Sequence, residues 1–284
     1  MFLQPASLNA AIDLLAQNRG RLLAGGTDFF PALGQMAVRD PLIDISRLSE
    51  LRTISVGAGT IRLGAACTWS EIVTAPLPSG FDALKEAARE IGSVQIQNRG
   101  TIGGNLCNAS PAADSVPPLL TLDAGIELAS PRGLRQMPLA AFIRGNRQTE
   151  LAQDEIVTAV LVPRANGDLI SHFSKLGARR YLVISIAMIA VAMKQAADGA
   201  IEQACIAIGS CSAVAQRLPE LEAALIGSRS VSDIAARVTA AHVAKLSPID
   251  DVRASAGYRR DAAIILIRRA VQDCFEKRAP SVGR

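Results

Sequence analysis

The sequence predicts an α+β protein built from two domains. Its 284 residues can bury a large core, and chains of this length fold as two domains more often than as one. Helices and short strands are mixed up to about residue 165, whereas the later part predicts strands followed by a block of helices, an order typical of an α+β unit. We therefore place an N-terminal domain at residues 1–165 and a C-terminal domain at residues 166–284.

The elements of the N-terminal domain follow from local signals. Ser7 is placed to cap a helix whose apolar residues recur at helical spacing, and Gly92 follows a second such helix as a C-cap. Residues 53–66 alternate around a Gly-Ala-Gly turn, and because Arg62 stands where a dinucleotide fingerprint has its third glycine, we predict a β-hairpin there. The predicted elements are, in chain order, a helix at 8–18, strands at 21–24 and 42–45, the hairpin, a helix at 81–91, and strands at 126–130 and 156–162.

The C-terminal domain is predicted to begin with strands and to end with helices. A long apolar run, Leu182–Met193, indicates a buried strand. It is shorter than the roughly 20 residues that a membrane-spanning helix needs, and we therefore predict no membrane span. The predicted elements are strands at 171–176, 182–194 and 201–209, and helices at 219–226, at 231–246 with Ser230 or Ser232 as cap, and at 250–278 with a break at Gly257 allowed.

Composition disfavours several classes of protein. Hydrophobic residues make up 49% and charged residues 20% of the chain, as in an ordinary globular protein rather than a disordered one. The net charge of +4 is small, the aromatic content is 4%, and the C-terminal arginines are interleaved with an apolar helix pattern. These arginines therefore suit a solvated helix face or a protein interface better than nucleic acid. They are Arg253, Arg259, Arg260, Arg268, Arg269, Arg278 and Arg284.

The five cysteines form no Cys-x-x-Cys pair, and the two histidines lie far apart in the chain. This spacing predicts neither a zinc site nor an iron–sulfur cluster on this chain. An odd number of cysteines without a signal peptide predicts a reducing, cytoplasmic location. We interpret His172, beside a predicted strand, as a surface residue rather than a catalytic base.

One stretch, Thr101–Leu119, concentrates groups that bind ligands. It holds a glycine pair, amides, hydroxyls, a carboxylate and three prolines, and it shows no amphipathic period, so we predict a structured loop rather than a helix or strand. Gly103 and Gly104 lack a Cβ, which allows the backbone to approach a ligand and to turn N–H groups toward an anion such as pyrophosphate. A glycine pair alone more often makes a tight turn, but the polar residues that follow this one favour binding.

A second glycine pair follows the strand at 21–24, in the sequence Ala24-Gly25-Gly26-Thr27-Asp28. A dinucleotide needs its pyrophosphate held from more than one side. We therefore expect the two glycine segments to converge and to form one dinucleotide site.

Together these motifs resemble the FAD-binding medium subunit of the molybdenum hydroxylases, the family that includes carbon monoxide dehydrogenase and bacterial xanthine dehydrogenase. The resemblance is carried by Ala24–Asp28, Asn98–Asn105 and Ser110–Ser115. Later segments extend it over nearly the whole chain, namely Phe173–Lys175, Arg179-Arg180, Val252–Ser255 and Tyr258–Arg260.

The resemblance implies a fold and a function. The fold is an FAD-binding domain of the vanillyl-alcohol-oxidase (PCMH) type with two α/β subdomains, followed by a C-terminal domain with a small antiparallel sheet and helices. The implied function is that of an oxidoreductase subunit. A large partner subunit carries molybdopterin and oxidises the substrate, a small partner subunit relays electrons through [2Fe-2S] clusters, and FAD on this chain passes them to an external acceptor.

Cofactor contacts are also implied by the resemblance, residue by residue. The backbone amides of Gly25, Gly26 and Thr27 are expected near the phosphates, and Asp114 is expected to accept hydrogen bonds from FAD hydroxyls. Lys175 matches a lysine close to the cofactor, where a cation would stabilise reduced, anionic flavin; the alternative is a surface lysine at a strand edge. No catalytic residue or metal ligand is expected. The implied cofactor-binding residues are Leu22, Leu23, Ala24, Gly25, Gly26, Thr27, Asp28, Phe29, Ile91, Thr101, Ile102, Gly103, Gly104, Asn105, Asp114, Val157 and Lys175.

Two other functions are weighed against this one. The first is a self-sufficient FAD oxidase or dehydrogenase of a small organic substrate, although the sequence shows no His, Tyr and Arg constellation that would orient such a substrate and abstract its proton. The second is a non-enzymatic flavin-binding or assembly protein that docks to a partner. It predicts either bound FAD that no substrate reduces or no FAD at all.

Overall fold

The computed structural model describes residues 1–18 and 20–277, and the chain divides into two compact units. Unit 1 consists of residues 1–75, 91–110 and 124–164, and unit 2 of residues 76–90, 111–123 and 165 onward. Two segments from the first half of the chain therefore fold with the C-terminal part. Because the units are interleaved along the chain, the contiguous division at residue 165 stays a prediction.

The strands and helices have the following bounds. The strands are β1 (Phe2–Leu3), β2 (Arg21–Leu23), β3 (Leu42–Asp44), β4 (Ile54–Val56), β5 (Thr60–Gly64), β6 (Gly125–Ser130), β7 (Gly133–Pro138), β8 (Ile143–Gly145), β9 (Gln148–Thr149), β10 (Ile156–Pro163), β11 (Ile170–Leu176), β12 (Ala187–Gln195), β13 (Ile201–Gly209) and β14 (Gln216–Arg217). The helices are α1 (Leu8–Asn18), α2 (Phe29–Leu33), α3 (Trp69–Thr74), α4 (Asp82–Glu90), α5 (Val94–Gln97), α6 (Ile102–Asn108), α7 (Val116–Thr121), α8 (Leu139–Phe142), α9 (Arg164–Gly167), α10 (Pro219–Leu225), α11 (Val231–Arg237) and α12 (Ala256–Glu276).

Unit 1 contains a small parallel sheet in the order β1-β3-β2 and a larger antiparallel sheet in the order β4-β5-β10-β6-β7. Apolar residues of α1, among them Ala11 and Leu15, share a core with Ile43 of β3 and Ile156 of β10. The central strand β10 is buried over most of its length, whereas the edge strand β7 is mostly exposed. A strand covered on both faces must be apolar on both, which explains the continuous apolar run that predicts β10.

Unit 2 is built on an antiparallel sheet in the order β11-β12-β13-β14. One face of β12, including Ile189 and Val191, packs in a core with residues of α10, α11 and α12. The opposite face, including Met188 and Ala190, packs against α4. The early segment that contains α4 therefore folds with unit 2 because it covers the second face of this sheet.

Several predicted elements are confirmed. The helix α1 begins after Ser7, whose hydroxyl accepts a hydrogen bond from the backbone N–H of Ala10 at 3.2 Å. Residues 54–64 form the antiparallel hairpin β4–β5, without the helix that a dinucleotide fingerprint requires. The α+β class and the small antiparallel sheet of the C-terminal part are confirmed as well.

Other boundaries are corrected by the structure. The strand predicted from residue 182 begins only at Ala187, and Leu182 has a φ of +54°, outside the extended region of a regular strand. The helix predicted over 231–246 ends at Arg237, and a single 3₁₀ turn, Ala240–Val243, follows it. Residues 133–138, for which no strand is predicted, form β7. None of the helices in residues 1–18 and 20–277 combines the length and the apolarity that crossing a bilayer requires.

The last helix starts later than predicted, because acidic side chains fix the turn before it. Asp250 accepts a hydrogen bond from the backbone N–H of Ala256 at 2.6 Å, and Asp251 accepts one from that of Arg253 at 2.8 Å. Ser255 then caps α12, which begins at Ala256. The predicted end at residue 278 lies outside the described residues.

Arg259, on α12, is a buried cation rather than a surface arginine. It is 3% exposed, and its Nη1 donates to the carbonyls of Ile186 at 2.6 Å and Ser210 at 3.2 Å. Its Nη2 donates to Asp251 at 2.7 Å, and although burial opposes ionisation, hydrogen bonds from Arg253 and Arg259 hold the pKa of Asp251 well below its usual range. The side chain therefore joins α12 to the ends of two strands and to the preceding turn.

We predict that Arg259→Ala lowers the free energy of unfolding by about 3–5 kcal/mol, because it removes a buried cation that donates to two carbonyls and to the Asp251 carboxylate. The measurement is equilibrium urea unfolding of the full chain. Arg260→Ala is the matched control, since Arg260 is exposed, and a change within about 0.5 kcal/mol is expected for it. Equal losses for both variants would contradict the structural role of Arg259.

Candidate cofactor-binding site

The first glycine segment connects β2 to α2 and depends on two different properties of glycine. A Cβ at Gly25 would lie 2.0 Å from the carbonyl oxygen of Arg99, so only glycine permits this close backbone approach. Gly26 has a φ of +73°, a left-handed conformation that side chains disfavour. The two glycines thus fix both the place and the direction of the segment.

The backbone of the first glycine segment offers free donors. Within residues 1–18 and 20–277, the N–H groups of residues 25–28 donate no hydrogen bond to another protein group. The segment is only partly exposed, and consecutive N–H groups next to a left-handed residue form a concavity that binds anions. This arrangement fits a phosphate or pyrophosphate.

The second glycine segment differs from the prediction. The expectation of a non-helical loop over 101–119 is wrong, because it contains α6 and α7. Thr101 caps α6 by accepting a hydrogen bond from the N–H of Gly104 at 3.1 Å. The N–H of Ile102 donates to Cys67 and that of Gly103 to Ala65, at 3.0 and 2.8 Å. These N–H groups therefore already donate to acceptors within the protein.

The glycines of α6 serve packing and surface shape instead of donation. Neither of them has a positive φ. A Cβ at Gly103 would lie 2.7 Å from the Cβ of Ala65, so Gly103 allows α6 to pack closely on the chain after β5. Gly104 is exposed, and its missing side chain leaves the start of α6 open to a ligand.

The two glycine segments of unit 1 do converge, as predicted. Gly25 lies against the backbone of Arg99 and Gly100, and Gly100 runs directly into Thr101. Trp69, 1% exposed, supports this junction, because its ring atoms lie 3.3 Å from where a Cβ of Gly100 would be. Trp69 is thus a core residue that shapes the backbone at the meeting point.

Unit 2 contains a buried ionic cluster formed by Asp114, Lys175 and Ser185. The Nζ of Lys175, on β11, lies 2.6 Å from Oδ2 of Asp114, and both side chains are 7% exposed. The hydroxyl of Ser185, which is 2% exposed, donates to Oδ1 of the same carboxylate. Burial raises the pKa of the Asp114 carboxyl, and Lys175 and Ser185 oppose that rise. Lys175 is therefore a buried cation and not a surface lysine.

The remaining sequence-predicted contacts lie at ordinary structural positions. Val157 is a nearly buried residue of β10, paired with Leu128 of β6, and Ile91 is half-buried just after α4. The cofactor roles of both residues stay predictions. The same holds for the other residues of the two glycine segments.

His172 is not the surface residue that the sequence suggests. Its side chain is 17% exposed, with Nδ1 lying 3.0 Å from Glu86 and Nε2 lying 3.5 Å from Asp273. Sequence periodicity places His172 on a strand but does not reveal that α4 and α12 cover it.

Across the part of the chain that the structure describes, His, Cys, Asp and Glu side chains form no group of three or more that could hold a metal ion. All five cysteines are free thiols, and four of them are buried. The free N–H groups of unit 1 can bind phosphate, and the carboxylate of unit 2 can accept hydrogen bonds from hydroxyl groups.

Comparisons with known proteins identify related chains. Residues 1–165 match the family model of the FAD binding domain in molybdopterin dehydrogenase, and residues 172–274 match that of the CO dehydrogenase flavoprotein C-terminal domain. The nicotinate dehydrogenase FAD-subunit of Eubacterium barkeri is 41% identical over 65% of each chain, just under two thirds of its length. The nicotine 6-hydroxylase medium subunit of Paenarthrobacter nicotinovorans is 32% identical over 95% of each chain.

Solved structures share the fold. A carbon monoxide dehydrogenase from Hydrogenophaga pseudoflava, which lacks the Mo-pyranopterin moiety of the molybdenum cofactor, contains a chain that superposes with a TM-score of 0.84 at 30% identity. The superposition covers 95% of each chain.

Sequence reasoning missed Ser185. It lies inside the apolar run that predicts a strand from residue 182, and it is 71 residues away from its partner Asp114. No local motif marks such a contact, because the pairing depends on how β11, β12 and the segment before α7 come together.

We predict that Gly25→Ala destabilises the chain by about 3 kcal/mol, the upper end of overpacking costs, because its Cβ would collide with the Arg99 carbonyl. Urea unfolding and the FAD content of the purified protein are measured together, and both should fall. Gly59→Ala is the matched control, since a Cβ there has no atom within 4 Å and stability should change by less than about 0.5 kcal/mol. An unchanged Gly25→Ala variant would show that the close approach is not required.

Proposed function

Because the chain belongs to the family of FAD-binding subunits of the molybdopterin dehydrogenases, we propose that it passes electrons from [2Fe-2S] clusters of a partner subunit through FAD to an external acceptor. The chain is a medium-subunit flavoprotein of the molybdenum-containing oxidoreductases. The observation that carries the proposal is the set of free N–H groups at residues 25–28, inside the matched FAD-binding domain.

Each unit contributes its own groups to this function. In unit 1, the N–H groups of residues 25–28 bind the pyrophosphate of FAD, and Gly104 leaves α6 open beside them. In unit 2, Asp114 accepts hydrogen bonds from FAD hydroxyls, and Lys175 supplies positive charge that favours the reduced flavin. FAD, when bound, supplies the transfer of electrons between one-electron and two-electron partners.

The proposed partners are a large subunit that carries molybdopterin and a small subunit that carries the iron–sulfur clusters. One relative, 28% identical over 96% of this chain, is named the medium chain of a carbon monoxide dehydrogenase, a name that implies further chains in that enzyme. A relative that aligns over 95% of this chain is itself named a medium subunit, which is one component of a larger complex. The free thiols of all five cysteines suit a reducing compartment, and we place the complex in the cytoplasm.

A pull-down of the tagged full chain from its own cells tests the proposed complex. We expect two further chains to co-purify together with FAD, molybdenum and iron, measured by mass spectrometry, absorbance and elemental assay. A yellow chain that elutes alone and free of these metals would instead favour a self-sufficient flavin oxidase or a non-catalytic flavin binder. A colourless chain would overturn the flavin assignment itself.

Replacing Lys175 tests its electrostatic role. We predict that Lys175→Met lowers the midpoint potential of the bound flavin by on the order of 30 mV, a tenfold change for a two-electron couple, because a buried cation is lost. The potential is measured by spectroscopic redox titration of the complex. Lys194→Met is the matched control, because Lys194 is 57% exposed and pairs with Glu202. An unchanged potential in Lys175→Met would exclude the electrostatic role.

A further inference from the structure

The Asp114 carboxylate is held at both of its oxygens by side chains from two different parts of unit 2. Lys175 contacts Oδ2 at 2.6 Å, and the hydroxyl of Ser185 donates to Oδ1. All three side chains are nearly buried. Two donors at opposite oxygens fix the rotation of a carboxylate, which one donor does not.

The two contacts leave acceptor capacity on the carboxylate. An ionised carboxylate has about four lone-pair sites, and Lys175 and Ser185 occupy one on each oxygen. One site on each oxygen is left for another donor. The arrangement therefore holds Asp114 ready to accept two hydrogen bonds, in an orientation set before any ligand arrives.

Ser185 is itself fixed by the backbone that follows it. The N–H of Ile186 donates to the carbonyl of Leu176 at 2.8 Å, and the carbonyl of Ile186 accepts from the buried Arg259 at 2.6 Å. These bonds tie the residue after Ser185 to the end of β11 and to α12. Ser185 thus lies next to a residue whose backbone is hydrogen-bonded to two other elements of unit 2.

We propose that Ser185 is a positioning residue for the flavin cofactor: its hydroxyl holds the Asp114 carboxylate in an orientation that accepts hydrogen bonds from hydroxyl groups of FAD. The inference rests on the proposed function, because it needs FAD as the ligand of Asp114. In this cluster Lys175 supplies the positive charge, and Ser185 sets the orientation of the Asp114 carboxylate.

Loss of the Ser185 hydroxyl has two consequences. The Oδ1 atom is left buried without its protein donor, and the carboxylate is free to rotate about its bond to Cβ. Burial and the nearby Glu90 raise the pKa of Asp114, whereas Lys175 lowers it, and removal of the Ser185 donor to the charged form raises it further. At lower pH a larger fraction of Asp114 is then protonated, and a protonated carboxyl loses acceptor capacity.

The test is FAD binding by the flavin-depleted complex that contains full-length variants. We expect Ser185→Ala to weaken FAD binding about tenfold, and by more as the pH is lowered, because the hydrogen bond to a charged group is lost. Ser185→Thr keeps the hydroxyl and should bind FAD within about twofold of wild type. If Ser185→Ala does not fold, Ser185→Cys replaces it, since a thiol is a much weaker donor.

Ser171→Ala is the matched control for a purely structural loss. Ser171 is also fully buried in unit 2 and makes two hydrogen bonds, to the carbonyl of Ser79 at 3.0 Å and from the N–H of Ala83 at 2.9 Å, but it does not contact Asp114. The Ser171→Ala variant should have a lower melting temperature, but the dissociation constant of FAD and the pH dependence of that constant should be unchanged.

The possible outcomes distinguish a failure of the proposed role of Ser185 from a failure of the proposed FAD-binding function. Weakened, pH-dependent binding in Ser185→Ala with rescue by Ser185→Thr supports the positioning role. If Asp114→Asn weakens FAD binding but Ser185→Ala does not, the inference is overturned and the proposed function stands. If Asp114→Asn also binds normally, Asp114 is not a ligand and the positioning role is overturned with it. If the wild-type complex takes up no FAD, both fall together.

Discussion

The close approach of two backbone segments at Gly25 is the constraint on which the cofactor-binding part of unit 1 depends. A side chain there would lie 2.0 Å from the Arg99 carbonyl, so the segment after β2 can rest on the segment before α6 only as glycine. This contact holds the N–H groups of residues 25–28 in place without using them. N–H groups that are held in place and donate to no protein acceptor can bind phosphate directly, because no internal hydrogen bond has to break first.

The two glycine pairs are alike in sequence but have different structural roles. The pair at 25–26 leaves its donors free, whereas the pair at 103–104 begins a helix whose N–H groups are satisfied by Thr101, Cys67 and Ala65. One pair therefore provides hydrogen-bond donors, and the other provides close packing and an open helix start. Glycine permits both uses, and the surrounding acceptors decide which use occurs.

Unit 2 depends on buried charges that are paired with groups distant in the chain, although Nε of Arg259 has no hydrogen-bond partner among the described residues. Asp114 with Lys175 and Ser185, and Arg259 with Asp251 and two carbonyls, each connect segments far apart in the chain. A buried charge is tolerated only when its partners are in place, so such clusters make the arrangement of strands and helices more specific. They also give the site fixed charges instead of mobile surface ones.

The sequence by itself determined the α+β class, the hairpin β4–β5, the apolar strands and the two glycine segments, because periodicity, turn residues and missing side chains act over a few neighbouring residues. The tertiary structure decided that 101–119 contains helices, that α4 and the Asp114 segment fold with unit 2, and that His172 and Arg259 are covered. Only the tertiary structure brought Ser185 to Asp114. Burial and hydrogen-bond partners are set by residues distant in the chain, and no local pattern records them.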